Sequence, residues 1–378
     1  MTHFHFRLIT SFDKLAPYAD RWNELVQLSP GNTIFLTWEW LTAWNTLIAH
    51  NLPLFIIVVF DEEERPQAFL PLYQSNLQLF KYISYRCLRP MGDCHCGAEY
   101  PDIIGTPSNM AGAVSCIQNC LEEQRGNWDC LYFRYISGQT GAASRLASFT
   151  AGNRAFSRLR ETVFSSISLP KSIEEYNQNM IVALYPLIRR QKKKLEQQGR
   201  LSISLCQEEQ EIPLYLDSLF HLHKKRWESI GQRGSFDRRP LMRDFYTGFA
   251  FTAFQRGWLK IFSLQIDGVT RAVQIGYLYQ ERFYQMQEGF DPDGSGGLGN
   301  VLRHAVINWC IINKVKEYDY LSGDEEHKLK WGAVRSTGYT LFSGKKSLKN
   351  FLLAIGDFWP SGRFITEGPP VHYGCSQD

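Results

Sequence analysis

Carboxylates, cations and glycines crowd into one stretch of this 378-residue chain, from Arg282 to Trp331. RFYQMQEGF (282–290) has the aromatic and apolar content of a strand and carries Glu288 near its end. DPDGSGGLGN (291–300) follows, with Asp291 and four glycines. Backbone N–H groups at a helix start, flanked by residues without side chains, can approach a phosphate closely. Gly296, Gly297 and Gly299 stand just before the helix VLRHAVINWCIINKVK (301–316), and Asn300 is placed as its N-cap. EYDYLSG (317–323) reads as a second strand. DEEHKLKW (324–331) then brings Asp324, Glu325, Glu326, His327, Lys328 and Lys330 to that strand's C-terminal end. In α/β sheets this is the end where ligands bind. If the two strands are neighbours, Glu288 and Asp291 lie close to the charged tail. Plainer explanations compete: a flexible connector for the loop, and for the tail a helix start with acids first and bases later, as the macrodipole prefers.

Other motifs narrow the chemistry. The glycine loop lacks the Gly-Lys-Ser/Thr of a Walker loop, and it does not follow the first strand of a dinucleotide-binding unit. There is no G-x-S-x-G elbow for a serine nucleophile. CHC (94–96) lacks a matching Cys/His cluster at zinc spacing, so no metal is expected. RRQKKK (189–194) sets five cations in six residues, with Leu184, Ile188 and Leu195 free to face inward. It reads as a solvated helix face or as a patch for a phosphate-rich partner. His221 and His223 lie two apart on a helix, hence on different faces, and are expected to serve packing and surface.

Composition bounds the rest. The length suits about two or three domains at ~100–200 residues each. With 44% hydrophobic and 14% aromatic residues the chain can bury a sizeable core. A net charge of +3 gives no global argument for nucleic acid or membrane partners. Nine irregularly spaced cysteines and a start that does not read as an export signal point to reduced thiols in a soluble, cytoplasmic protein. The longest apolar run, LFIIVVF (54–60), is far shorter than the ~20 residues of a membrane helix.

Periodicity supplies the elements that must position these residues. Helical spacing appears over 15–29, in 33–50 from about Thr37, and over 110–126, 174–199, 212–231 and 240–257, with Pro186 kinking or dividing the 174–199 segment. LFIIVVFDEEERPQAFLPLYQS (54–75) reads as a hairpin whose prolines push its second strand toward an edge or bulge. Strands over 258–268 and 269–280 meet at an Asp-Gly turn. The order of elements repeats: ADRWNELVQLS resembles LHKKRWESIGQ, and LFIIVVFDEEERPQAFLPLY resembles LKIFSLQIDGVTRAVQIGYLY. Two similar α/β domains are expected, 1–165 and 166–352, followed by a tail over 353–378.

With R189–R190, KKLEQQG (193–199), KKRW (224–227), GQRGSF (231–236), GFDP (289–292) and YDYLSGDEEHKLKW (318–331), residues 8–350 resemble the CelD-like (BioF2-like) acyltransferases of the GNAT superfamily, relatives of the FemAB peptidyltransferases. His327 stands where that family typically has Tyr, and Lys328 where it has Lys. The resemblance implies tandem GNAT-like domains, each a mixed, mostly antiparallel sheet flanked by helices. It implies an acyl-CoA donor, acetyl-CoA or longer, with its pyrophosphate held by Ser295, Gly296, Gly297, Gly299 and Asn300. The usual Gln/Arg-x-x-Gly-x-Gly/Ala of the superfamily is not cleanly present. The implied reaction is N-acyl transfer to a small amine, such as an amino sugar or an envelope or exopolysaccharide precursor. Glu288 is the best-placed base, with Asp291 and Asp324 behind it. Lys328 would neutralise donor phosphate or orient an acid, and Arg189, Arg190, Trp227 and Lys330 would contact substrate. The FemAB kinship offers aminoacyl-tRNA as an alternative donor. A non-catalytic accessory role in polysaccharide synthesis is the third reading.

Overall fold

A computed structural model describes residues 3–139, 155–294, 296–345, 347, 349–350 and 365–367. The chain divides into two units, one formed by 1–94, 98–162 and 337–378, the other by 95–97 and 163–336.

In the first unit β1 (His5–Ile9) is followed by α1 (Ala19–Leu28) and α2 (Trp38–Leu47). Thr37 starts α2 by accepting a hydrogen bond from the Trp40 N–H, the N-cap its hydroxyl favours. Trp22, Trp40 and Trp44 are fully buried. The strands β2 (Leu54–Phe60), β3 (Pro66–Leu79), β4 (Ile83–Pro90) and β6 (Cys130–Ser137) stand beside β1 in the order β1-β2-β3-β4-β6, with β5 (Ile104–Gly105) also on β3. All seven residues of β2 are buried, which is why its apolar run is continuous. The prolines do not make β3 an edge strand. Pro66 opens it, and Pro71 falls between the residues paired with β5 (Ala68, Phe69) and those paired with β4 (from Leu72). A missing N–H is least costly there. Helix α3 (Met110–Glu123) packs its apolar face on β2, β3 and β6.

Within the second unit residues 163–168 of β7 (Ala155–Ser168) begin a sheet of order β7-β12-β11-β10-β9-β8. Its other members are β8 (Leu201–Leu205), β9 (Leu259–Ile266), β10 (Val269–Tyr279), β11 (Arg282–Phe290) and β12 (Glu317–Ser322). Only the β11–β12 pair is parallel. Asp267 and Gly268 turn β9 into β10 with φ of 50° and 77°, the left-handed values that an Asp-Gly hairpin turn requires. Pro186 divides the segment expected to be helical: a short helical stretch ends at Met180, and α4 (Tyr185–Glu196) starts with the proline in its first turn. Helices α4 and α7 (Leu298–Ile312) bury Ile188, Leu195, Val301, Leu302 and Val306 in one core with β9, β10 and β12. Helix α5 (Ile212–Glu228) lies on β10 and β11, and α6 (Pro240–Gln255) packs against α5 and β9. A short helix α8 (Glu326–Lys330) follows β12.

After the second unit is complete, residues 338–344 of β13 (Val334–Lys345) pair antiparallel with β6 of the first. Of the tail expected from 353, only the backbone of β14 (Ile365–Glu367), paired with β3, is described. Each unit is thus a mixed, mostly antiparallel sheet with helices, the α/β class expected. No helix among the described residues is long and apolar enough to cross a membrane.

Candidate functional site

β11 and β12 pair for three residues only, from Arg282↔Glu317 to Tyr284↔Asp319. From Gln285 onward β11 keeps β10 on one side, and its other edge is open. At this splay lies a cavity of about 670 Å³. One wall is β11 from Gln285 to its end at Phe290, with Asp291 just beyond. The others come from α5 (His223, Arg226, Trp227), the start of α7 with its glycine loop, Leu184 and Leu187 before and on α4, and Tyr320 to Trp331.

Two glycines shape these walls. A Cβ on Gly289 would lie 2.5 Å from the His223 amide nitrogen and 3.0 Å from the Leu219 carbonyl oxygen, so α5 rests its backbone directly on β11. Gly234 of GQRGSF is buried under His223 and Trp227. The Trp227 indole N–H donates to His223 Nε2 at 3.1 Å. Burial holds the His223 imidazole down at about 4, so it is neutral.

The floor of the cavity is ionic. One terminal nitrogen of Arg303 donates to both Glu288 oxygens at 2.7 and 2.6 Å, and Arg226 adds a bond of 3.1 Å to the first of them. Arg303 is 6% exposed, with its guanidinium over the Trp331 ring, while Arg226 lies 4.3 Å from the Phe290 ring centroid. Burial resists ionisation of Glu288, but Arg303 and then Arg226 outweigh it and hold the carboxyl below its ordinary range. A carboxylate so held is a weak proton acceptor, which disfavours the base role the sequence suggests for Glu288. Asp291, also buried, accepts from Lys225 at 2.7 Å and Arg271 at 2.8 Å. Burial again opposes its ionisation and these cations prevail. Asp291 thereby ties the end of β11 to α5 and β10.

The remaining sequence candidates fall in different places. Lys328 is buried at the cavity wall; its ammonium donates to the Ser322 carbonyl at 2.9 Å and pairs with Glu325 at 2.8 Å, holding the turn after β12. Lys330 and Trp227 line the cavity. Asp324 does not; it is exposed and paired with Arg335. Arg189 and Arg190 are exposed on α4, outside the lining. Gly296, Gly297, Gly299 and Asn300 line it, and Ser295 lies outside the described residues.

Asn300 is not the helix cap. Gly297 is, with φ of 90° and no side-chain bond, and α7 starts at Leu298, three residues earlier than periodicity suggests. Asn300 sits in the first turn and donates instead to Gln191 of α4 at 3.1 Å. Gly297 offers no side chain to cap the N–H groups of this turn, and the turn borders the cavity, as an anion site requires. Alanine at Gly297 would take a strained left-handed φ, costing about 1–2 kcal/mol, and its Cβ would lie 2.5 Å from Gln191. Gly297→Ala is expected to weaken phosphate-bearing donors about tenfold with the fold retained, as read by calorimetry beside circular dichroism.

Sequence reasoning assigns His223 to packing or surface, whereas it lines the cavity, and it names neither Arg226 nor Arg303 as a site residue. Arg303 carried a signal: it is a cation on a helical stripe whose neighbours Leu302, Val306 and Cys310 are buried. No cysteine lines the cavity, and no group of three or more His, Cys, Asp or Glu among the described residues is arranged to hold a metal.

Residues 187–329, which carry most of this splayed sheet with its glycine loop and helix, match the family model described as acetyltransferase (GNAT) domain. That match covers part of the second unit, and the chain as a whole is similar in fold to FemX. The likeness to FemX spans 93% of this chain and 99% of that one, with 9% identity and a TM-score of 0.59. The C-terminal domain of a putative lysylphosphatidylglycerol synthetase from Agrobacterium fabrum is similar over 90% of this chain and 95% of its own, at 13% identity and a TM-score of 0.52. L-PGS from Bacillus licheniformis is similar over 89% and 96%, at 12% identity and a TM-score of 0.50. At such identities the likeness is one of fold. No curated protein sequence matches the chain.

Proposed function

We propose that the second unit transfers an acyl group from acyl-CoA to the amine of a small acceptor, an amino sugar or a related envelope or exopolysaccharide precursor. One observation carries this reading: a cavity joins the glycine-led start of α7 to the open edge of β11, with both of these inside the segment that matches the acetyltransferase domain. The donor's pyrophosphate is assigned to the first-turn N–H groups at Leu298, Gly299 and Asn300. Its thioester carbonyl is assigned to the open edge of β11, where backbone N–H groups polarise it. The amine attacks the carbonyl carbon, the C–N bond forms, the C–S bond breaks, and CoA leaves as the thiol.

A thermal-shift series with acetyl-CoA, longer acyl-CoAs and free CoA tests the reading. At ~100-fold excess over Kd a ligand adds about 2.7 kcal/mol. Stabilisation by acyl-CoA supports the proposal, and no shift with any CoA refutes it.

A second reading, with aminoacyl-tRNA as donor, is favoured by one feature. Gln191 of α4 touches Gly297 and Asn300, so the exposed Arg189, Arg190, Lys192, Lys193 and Lys194 lie on the helix that flanks the loop. Salt-sensitive tRNA binding that is lost when these five are neutralised would favour it over the first.

A further inference from the structure

Acyl transfer to an amine needs a group that takes the amine's proton, and the cavity's carboxylates are all committed. Glu288 is held by Arg303 and Arg226, Asp291 by Lys225 and Arg271, and Glu325 by Lys328. His223 is 2% exposed and its Nε2 already accepts the Trp227 indole N–H. His327 differs from all of them. It lies at the start of α8, lines the same cavity, and is exposed. No hydrogen bond to its ring is found among the described residues. The next residue anchors the segment: the buried Lys328 ammonium is bonded to the Ser322 carbonyl and to Glu325.

We propose that the imidazole of His327 takes the proton released by the acceptor amine and passes it to the departing thiolate. This rests on the acyl-CoA reading above. In the step, the amine lone pair forms the C–N bond, the thioester C–S pair leaves on sulfur, and the ammonium proton crosses to an imidazole nitrogen. The imidazolium then returns the proton to the CoA sulfur, so the ring ends as it began.

The charges around the ring suit the task. Arg303 faces it from α7 and Glu288 from β11, and Glu325 and Lys328 flank it on its own segment. Partial desolvation at the cavity wall and then Arg303 lower the imidazole from its ordinary 6.5, while Glu288 and Glu325 oppose them. The ring is therefore neutral and able to accept a proton near pH 7.

The experiment follows thiol release from acetyl-CoA with a panel of amino sugars, against pH, in wild type, His327→Ala and His327→Gln. Donor binding is measured separately by thermal shift. The wild-type kcat/KM is expected to rise with pH along a limb whose midpoint lies below 6.5. Both variants are expected to lose 10²- to 10⁴-fold in kcat, to lose that limb, and to keep the acetyl-CoA shift, with His327→Ala partly rescued by added imidazole. Variants that keep the limb and wild-type turnover within about threefold would overturn the assignment to His327 while leaving the acyl-CoA reading intact. A wild type with neither CoA shift nor thiol release would overturn both.

Discussion

Replacing Glu288 with Gln is expected to cost about 3–5 kcal/mol of stability, because it leaves the Arg303 guanidinium buried without its counter-charge. Arg303 is 6% exposed, and it is the Glu288 carboxylate that meets one of its terminal nitrogens through both oxygens. A neutral amide keeps the shape and removes the charge. Replacing Glu288 and Arg303 together with Met should recover much of the loss, since a buried ion pair exchanged whole for apolar groups is often neutral. Urea unfolding of the two variants beside wild type measures both effects. Equal losses would mean that the pair is not the source of the cost.

The same pair sets a pH dependence. The folded-state pKa of Glu288 is depressed below its ordinary 4.5. Its contribution is therefore fully present above about pH 4.5 and is lost as pH falls through the folded value. Wild-type stability should fall below pH 4.5 more steeply than that of Glu288→Gln, which has no proton to take up at this site. Parallel curves would contradict the assignment.

Gly289→Ala is the second substitution with a large expected effect. The added Cβ would meet only backbone: the His223 nitrogen at 2.5 Å, the Leu222 carbonyl carbon at 2.9 Å and the Leu219 oxygen at 3.0 Å. No side-chain rotation relieves such a clash, so α5 must move off β11. Overpacking of this kind costs about 1–3 kcal/mol. Functional damage should exceed the loss of stability, because α5 carries His223, Arg226 and Trp227 into the cavity. A displacement near 1 Å can cost ~100-fold in rate. Unfolding midpoint and kcat/KM report the two effects separately. Gly126→Ala is the control, since nothing lies within 4 Å of a Cβ there. A Gly289 variant as benign as that control would refute the close approach.

Much of the second unit was legible because its signals are local. Asp267-Gly268 announces the β9–β10 turn through its left-handed φ values. The order of strand, glycine loop, helix and strand over Arg282–Trp331 follows from periodicity and from glycine's freedom at Gly296 and Gly297. Where a local cue competed with a distant partner, the partner decided. Asn300 looks like a cap, but Gln191 of α4 engages its side chain, and the helix starts at Gly297. Pro66 and Pro71 suggest an edge strand, but β4 and β5 find places on β3 that avoid Pro71.

By itself, then, the sequence determined the α/β class with its mostly antiparallel sheet and the glycine loop at a helix start, and it put forward Glu288, Asp291, Asp324 and Lys328 as groups to be weighed together. Only the tertiary structure decided what those groups are free to do. Glu288 meets Arg226 from 62 residues away and Arg303 from 15, and those contacts hold its carboxyl below its ordinary range. Charge state depends on burial and on neighbours within a few ångströms, and neither is encoded by residue type or spacing along the chain.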